Sequence, residues 1–366
     1  MIICVIATAS ALRGALAIYK QFISHLEKDV GDDVWHVFVD VNMPMPANPN
    51  VVYHVCHTKG LGRIWFDLFG FRMICHKKGI VPNVIFSLQN TNVNMGALRK
   101  VIYYHQPLPL FRYKISLSEN NVISHCAYTY LYPFYVRLLV NANTYVAVQT
   151  ETIKEMFSDR YNFPLDKVGV YFPHVDKINP TNLPLFQYED DTYNFVYPAM
   201  ESAYKEHITL AYALKRVNEI APKEANRIKV HLTICESQIK KLTDYIIHNG
   251  LDDNFVFHGG MSHNQIMSML KSCQGLLFPS VVETLGLPLL EAASLGIPVV
   301  ANDMGYVHDV LDGYDGLQLV KVHDYDGWAN RILNCCRDKK RFMPFSPSES
   351  DSWDRLFVLI KEGVIK

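Results

Sequence analysis

The chain has 366 residues, 49% of them hydrophobic and 12% aromatic, with 35 Lys and Arg against 36 Asp and Glu. That length suits two ordinary domains with sizeable cores, and the balanced charge excludes the basic footprint of a nucleic-acid binder. Eight scattered cysteines without a C-x-x-C pair argue for buried free thiols in a reducing compartment rather than a zinc set or a disulfide framework.

The opening Met-Ile-Ile-Cys-Val-Ile-Ala lacks a basic n-region and Arg13 interrupts the apolar run, so residues 2–8 read as a first strand and not a signal peptide. A turn through Arg13-Gly14 leads into a helix with Leu16, Tyr19, Ile23 and Leu26 on one face. Further strands are expected at 34–41, 51–56, 84–88, 101–104, 145–149 and 168–172. The string Ser87-Leu-Gln89-Asn90-Thr-Asn92 is polar at a strand's end and reads equally as a loop lining a substrate or an ordinary one. No stretch reaches the roughly 20 apolar residues of a membrane span. Residues 128–140 are aromatic-rich, and with Arg63, Trp65, Phe66, Phe69 and Phe71 they admit two readings: a surface resting on a bilayer, or a buried helix pair.

Residues 176–191 are polar and carry Pro180 and Pro184, which marks an interdomain linker. Beyond it, strands are expected at 195–197, 228–234, 255–258, 276–278, 299–301 and 317–320, with helices such as 207–217 and 265–273 between them. Strands alternating with helices, twice over, mean an α/β chain of two doubly wound, Rossmann-like parallel-sheet domains facing an interdomain cleft. The expected division is 1–180 and 190–349. Ligands bind beyond the carboxyl ends of such strands.

The most telling stretch is Phe278-Pro-Ser-Val-Val-Glu283-Thr-Leu-Gly286-Leu-Pro288-Leu-Leu-Glu291-Ala-Ala-Ser-Leu-Gly296-Ile-Pro298. Pro288 suits a first helical position and Gly296 the position past a helix end. The order is therefore strand, turn, helix, strand. Gly286 keeps the turn open, and the free N–H groups of the helix start make an anion site suited to phosphate. A carboxylate on each side, Glu283 and Glu291, suits hydroxyls on each side of a diphosphate, which describes a nucleotide-sugar.

This string, Pro-Ser-x-x-Glu-Thr-x-Gly-x-Pro-x-x-Glu-Ala followed by Gly-Ile-Pro-Val-Val, resembles the E-x7-E signature of retaining GT-B glycosyltransferases of the large family 4 type. Val148-Gln-Thr-Glu-Thr-Ile-Lys154, Phe172-Pro-His-Val-Asp176 and Asn254-Phe-Val-Phe-His-Gly259-Gly260 are similar to further segments of that family. Tyr104-His105-Gln-Pro-Leu-Pro109 resembles bacterial surface-polysaccharide enzymes of O-antigen and capsule type.

The resemblance implies a GT-B fold whose closing helix, within 350–366, packs back on the first domain. It implies that Glu291 binds the ribose diol and Glu283 the sugar hydroxyls. Thr284, Leu285, Gly286 and Leu287 would surround the donor phosphates. His105, at a strand's carboxyl end, would face the donor sugar, and Gly14 would stand near phosphates and acceptor. Lys205 matches the family's phosphate-binding lysine, but Ala199 stands near the place of its arginine partner. That departure puts the catalytic constellation in doubt, not the fold. It leaves open a non-catalytic sugar-nucleotide-binding subunit and a GT-B sugar-nucleotide epimerase beside the enzyme. The implied reaction is transfer with retention from a nucleoside diphosphate sugar to a glycan or lipid-linked acceptor. It needs no cofactor and no metal. The implied location is cytoplasmic, with peripheral contact on the inner membrane face as an open reading.

Overall fold

Apolar β-branched and aromatic runs become strands where their pattern places them, with ends shifted by at most two residues. The computed structural model describes residues 1–10, 13–29, 31–111, 113, 122–174, 183–338, 340–347 and 351–365. Strands β1 (Ile2–Ala7), β2 (Val34–Val39), β3 (Val51–Val55), β4 (Val84–Ser87), β5 (Arg99–Tyr103), β6 (Thr144–Val148) and β7 (Val168–Val170) form a seven-stranded sheet, ordered β3-β2-β1-β4-β5-β6-β7. Strands β8 (Tyr193–Tyr197), β9 (Ile228–Leu232), β10 (Phe255–Phe257), β11 (Gly275–Phe278), β12 (Val299–Asn302) and β13 (Leu317–Val320) form a six-stranded sheet, ordered β10-β9-β8-β11-β12-β13.

Every pairing is parallel. Parallel strands are buried on both faces, which is why β1, β4, β11 and β12 read as continuous apolar runs. In each sheet the winding reverses beside the first strand, between β1 and β4 and between β8 and β11. Loops leaving the two strands at such a point diverge and open a crevice at their carboxyl ends.

The chain divides into two compact units: the first sheet with the closing helix, and residues 183–347 around the second sheet. Of the expected linker, residues 176–182 lie outside the described residues, as do Val175 and Asp176 of the resembling turn and residue 350 of the expected boundary. The rest of that stretch belongs to the second unit. The Phe186 N–H donates to Ser272 Oγ at 3.1 Å and the Tyr188 hydroxyl to the Met269 carbonyl at 2.8 Å.

The expected turn at Arg13-Gly14 is instead the first turn of the helix Arg13–Leu26. Gly14 is exposed and an added Cβ there meets nothing within 4 Å, so the chain's own packing does not require glycine. This helix buries Ile18, Tyr19, Phe22, Ile23 and Leu26 on the first sheet, together with Trp353, Leu356, Phe357, Leu359 and Ile360 of the helix Trp353–Glu362. Trp353 stacks on Tyr103 with centroids 6.0 Å apart and donates its indole N–H to Gln21 at 3.0 Å. Gly363, at φ 76°, ends that helix in the left-handed conformation glycine takes at low cost.

Candidate functional site

The loop after β11 is held by three ties. Tyr306 donates to the Ser280 carbonyl at 2.7 Å, Asn302 to the Pro279 carbonyl at 2.5 Å, and the Val281 N–H to the Tyr204 carbonyl at 3.0 Å. Gly286 then turns left-handed, at φ 76°, as the N-cap of the helix Leu287–Ser294. A Cβ there would stand 2.9 Å from the terminal Cδ1 of Leu289, which could shift, so it is the left-handed conformation that favours glycine. Pro288 occupies the second helical position rather than the first. Leu287, the first residue, keeps an N–H with no partner inside the helix, at its positive end. Leu285 is buried, while Thr284 and Leu287 are half-buried.

Glu291 lies in the second turn of this helix, 15% exposed, and its Oε1 is 2.8 Å from His263 Nε2. His263 is placed by a capping box, in which Ser262 and Gln265 exchange hydrogen bonds at the start of the helix His263–Ser272.

Lys205 follows β8 on the turn Ala203–Lys205, its carbonyl accepting from the Tyr197 hydroxyl at 2.7 Å. Its ammonium pairs with Glu283 Oε1, the two side chains 12% and 15% exposed. Their strands β8 and β11 are neighbours flanking the point of reversal, which is why residues 78 apart in sequence meet. Glu206 is left-handed at φ 53° and nearly buried; its carboxylate accepts from Thr209 Oγ1 at 3.2 Å and stands 3.8 Å from His323 Nε2. His207, 3% exposed, packs its ring 4.8 Å from that of Tyr197, and burial, with Lys205 adding, pushes its pKa down to about 3. Ala199, where the resemblance expects an arginine, is itself buried and brings no charge.

In the first unit, His105 follows β5, and its N–H donates to Asn90 Oδ1 at 2.6 Å. Asn90 is left-handed at φ 65° and carries its Nδ2 to 3.5 Å from His105 Nε2. Burial pushes the imidazole down to about 4, outweighing a backbone hydrogen bond with Tyr103, so it is neutral at ordinary pH. Gln89, Thr91 and Asn92 are buried. Gln89 and Thr91 both donate to Asp67, at 3.2 Å, and Gln89 Oε1 accepts from Thr8 at 3.1 Å. Much of the polar run after β4 therefore serves the unit's own interior.

The structure thus joins Lys205 to Glu283 and sets Glu291 on the helix that their loop begins, while His105 and Gly14 belong to the other unit. Sequence reading missed Asn90 as the partner of His105, and His263 as the partner of Glu291. Ser-His-Asn-Gln at 262–265 was a legible capping box, but no pattern tied it to a carboxylate 28 residues on.

Residues 189–346 match the family model for glycosyl transferases group 1. Over 303 residues the chain is 21% identical to the O-antigen chain mannosyltransferase RfbU of Salmonella typhimurium, spanning 74% of this chain and 78% of that protein. The structure of Anabaena HepE in complex with UDP and glucose superposes with a TM-score of 0.65 at 14% identity, covering 98% of this chain and 95% of that one. That of WaaG, a glycosyltransferase involved in lipopolysaccharide biosynthesis, does so with a TM-score of 0.66 at 13% identity, covering 99% and 100%.

Proposed function

We propose that this chain, which has two Rossmann-like parallel-sheet units as in its GT-B structural neighbours and whose second unit matches the group 1 glycosyl transferase model, is a glycosyltransferase that moves a sugar from a nucleoside diphosphate donor to a glycan or lipid-linked acceptor with retention of configuration. The proposed setting is bacterial surface polysaccharide synthesis at the cytoplasmic face of the inner membrane. The carrying observation is the Lys205–Glu283 pair beside the glycine-capped start of the helix Leu287–Ser294. A cation, an open N–H and two carboxylates gather where a diphosphate with a hydroxyl-rich group at each end would fit. The UDP and glucose bound to HepE support this donor class, and RfbU supports the polysaccharide role.

Departure of a nucleoside diphosphate builds negative charge on its phosphate, and the sugar centre passes through an oxocarbenium-like state. Lys205 and the Leu287 N–H act where that charge grows. Glu291 takes the ribose diol and Glu283 the sugar hydroxyls. Thr284, Leu285 and Gly286 shape the phosphate turn. His105 as a neutral partner for the sugar, and Gly14 near the phosphates, rest on the resemblance alone. The acceptor oxygen attacks from the face the diphosphate leaves, and its proton passes to a departing phosphate oxygen.

Thermal-shift measurement against UDP-, GDP-, ADP- and dTDP-sugars identifies the donor as the one that raises the melting temperature. With it, acceptor-dependent transfer is expected, and Lys205→Ala should lower turnover by roughly 10²-fold, the usual cost of losing a preorganised charge-stabilising group. Donor binding without transfer would reassign the chain as a binding subunit. Conversion of the donor sugar to its epimer without acceptor would make it an epimerase.

A further inference from the structure

Two helical segments of the first unit carry an apolar face left open to solvent. The first runs through Leu61–Trp65, a π-helical turn Phe66–Gly70 and Phe71–Lys78. Phe66 and Phe71 are buried, so they do not belong to any outer surface, whereas Leu61, Trp65, Phe69 and Met73 are between 54% and 82% exposed. The second runs through Val122–Cys126, a π-helical turn Ala127–Leu131 and Tyr132–Leu138. Its Ile123, Leu131, Phe134 and Leu138, at helical spacing, are between 63% and 87% exposed.

Asp67, 1% exposed, binds the two segments into one surface. It accepts from the Tyr135 hydroxyl of the second and lies 3.5 Å from Arg63 of the first. Arg63 also donates to the Gln89 carbonyl and Thr91, so it faces inward and not toward a partner.

Two features select the occupant. Among the described residues, every exposed aromatic side chain (Trp65, Phe69, Tyr128, Tyr130 and Phe134) lies on these segments. Their charge is one-sided in a chain that is otherwise balanced. Residues 57–81 and 122–143 hold Lys59, Arg72, Lys77, Lys78 and Arg137 with no exposed acid among them, since the one acid, the buried Asp67, is offset by the inward-facing Arg63. Apolar and amphipathic aromatic groups settle at the headgroup boundary, and cations beside them gain from an anionic leaflet. A second copy on this face would set cations against cations.

We propose that segments 61–78 and 122–138 form a docking surface for an anionic lipid bilayer. It deepens the lipid-linked acceptor side of the proposed function and rests on that reading only for its purpose, because the binding involves no sugar transfer.

The test is co-sedimentation of the full chain with vesicles of phosphatidylcholine, and of phosphatidylcholine with phosphatidylglycerol, free of donor and acceptor. Binding is expected to the anionic vesicles, weakened by salt. It should fall roughly tenfold or more in Arg72→Glu/Arg137→Glu, since each cation contributes about a fewfold, and comparably in Phe69→Ser/Phe134→Ser. All four side chains are exposed, and unchanged melting and donor binding would show the variants folded. Equal binding to both vesicles, or binding unaltered in both variants, would overturn the proposal. So would lipid-free self-association abolished by Phe69→Ser/Phe134→Ser, which assigns the face to a second copy. Transfer activity enters none of these readouts, so failure of the enzyme reading would show separately.

Discussion

Glu283 and Glu291 belong to one motif, yet they close on different partners, Lys205 and His263. Their losses should therefore differ. Glu291→Ala is expected to weaken both the donor and the free nucleoside diphosphate by about ten- to a hundredfold, the worth of a hydrogen bond to a charged group. Glu283→Ala should cut transfer while leaving free-diphosphate affinity unchanged or higher, because it releases Lys205 from its carboxylate. Calorimetric titration of both variants decides this, and equal loss of diphosphate affinity would sink the assignment. His105 carries a second expectation at this scale. Burial holds it neutral above about 4, so it adds no inflection to the transfer rate between pH 5 and 8. A step near the ordinary imidazole value of about 6.5, lost in His105→Asn, would show that it titrates normally.

The closing helix shows how one element completes a core that lies far from it in sequence. Trp353 meets Phe22, Tyr103 and His25, and Phe357 stacks with Phe22 at 6.0 Å. Trp353→Ala removes a fully buried ring and one hydrogen bond, and should cost about 3–5 kcal/mol. Urea unfolding checks it; a loss under about 1 kcal/mol would mean that the helix merely lies on the surface. The two π-helical turns are decisions of the same scale. Each inserts a residue into a regular pattern, and the first brings Asp67 inward while Trp65 and Phe69 stay outside. Helical periodicity alone predicts neither.

Across the whole molecule, buried imidazoles set a pH limit on stability. His54 and His105 are pushed down to about 4, and His207 and His231 to about 3, in each case by burial first. His54 meets His36, and His231 meets His258, at 2.9 Å between ring nitrogens, a bond that requires one ring to stay unprotonated. The unfolded chain takes up these protons below about pH 6.5 and the folded chain does not. Stability is therefore whole above that value and falls as pH drops toward about 4, by up to about 2 kcal/mol per imidazole between pH 6.5 and 5. A melting temperature no lower at pH 5 than at pH 7 would refute this. Chelation tests the proposed chemistry at the same scale: transfer is expected to persist in EDTA, and loss restored by a divalent cation would call for a metal in the reaction.

Local chemistry settled much of this protein. The two sheets follow from apolar runs alternating with amphipathic helices. The turn at Gly286 and the end at Gly296 follow from the conformations glycine alone takes readily, with φ of 76° and 68°. Glu283 and Glu291 were legible because one short segment holds both. What tertiary structure decided are relations between distant segments: Lys205 on Glu283 across neighbouring strands, Asn90 on His105, His263 on Glu291, and the aromatic segments split into a buried and an open face. Periodicity and spacing report on neighbours along the chain. Which loops converge depends on strand order, and strand order comes from the packing of the whole sheet.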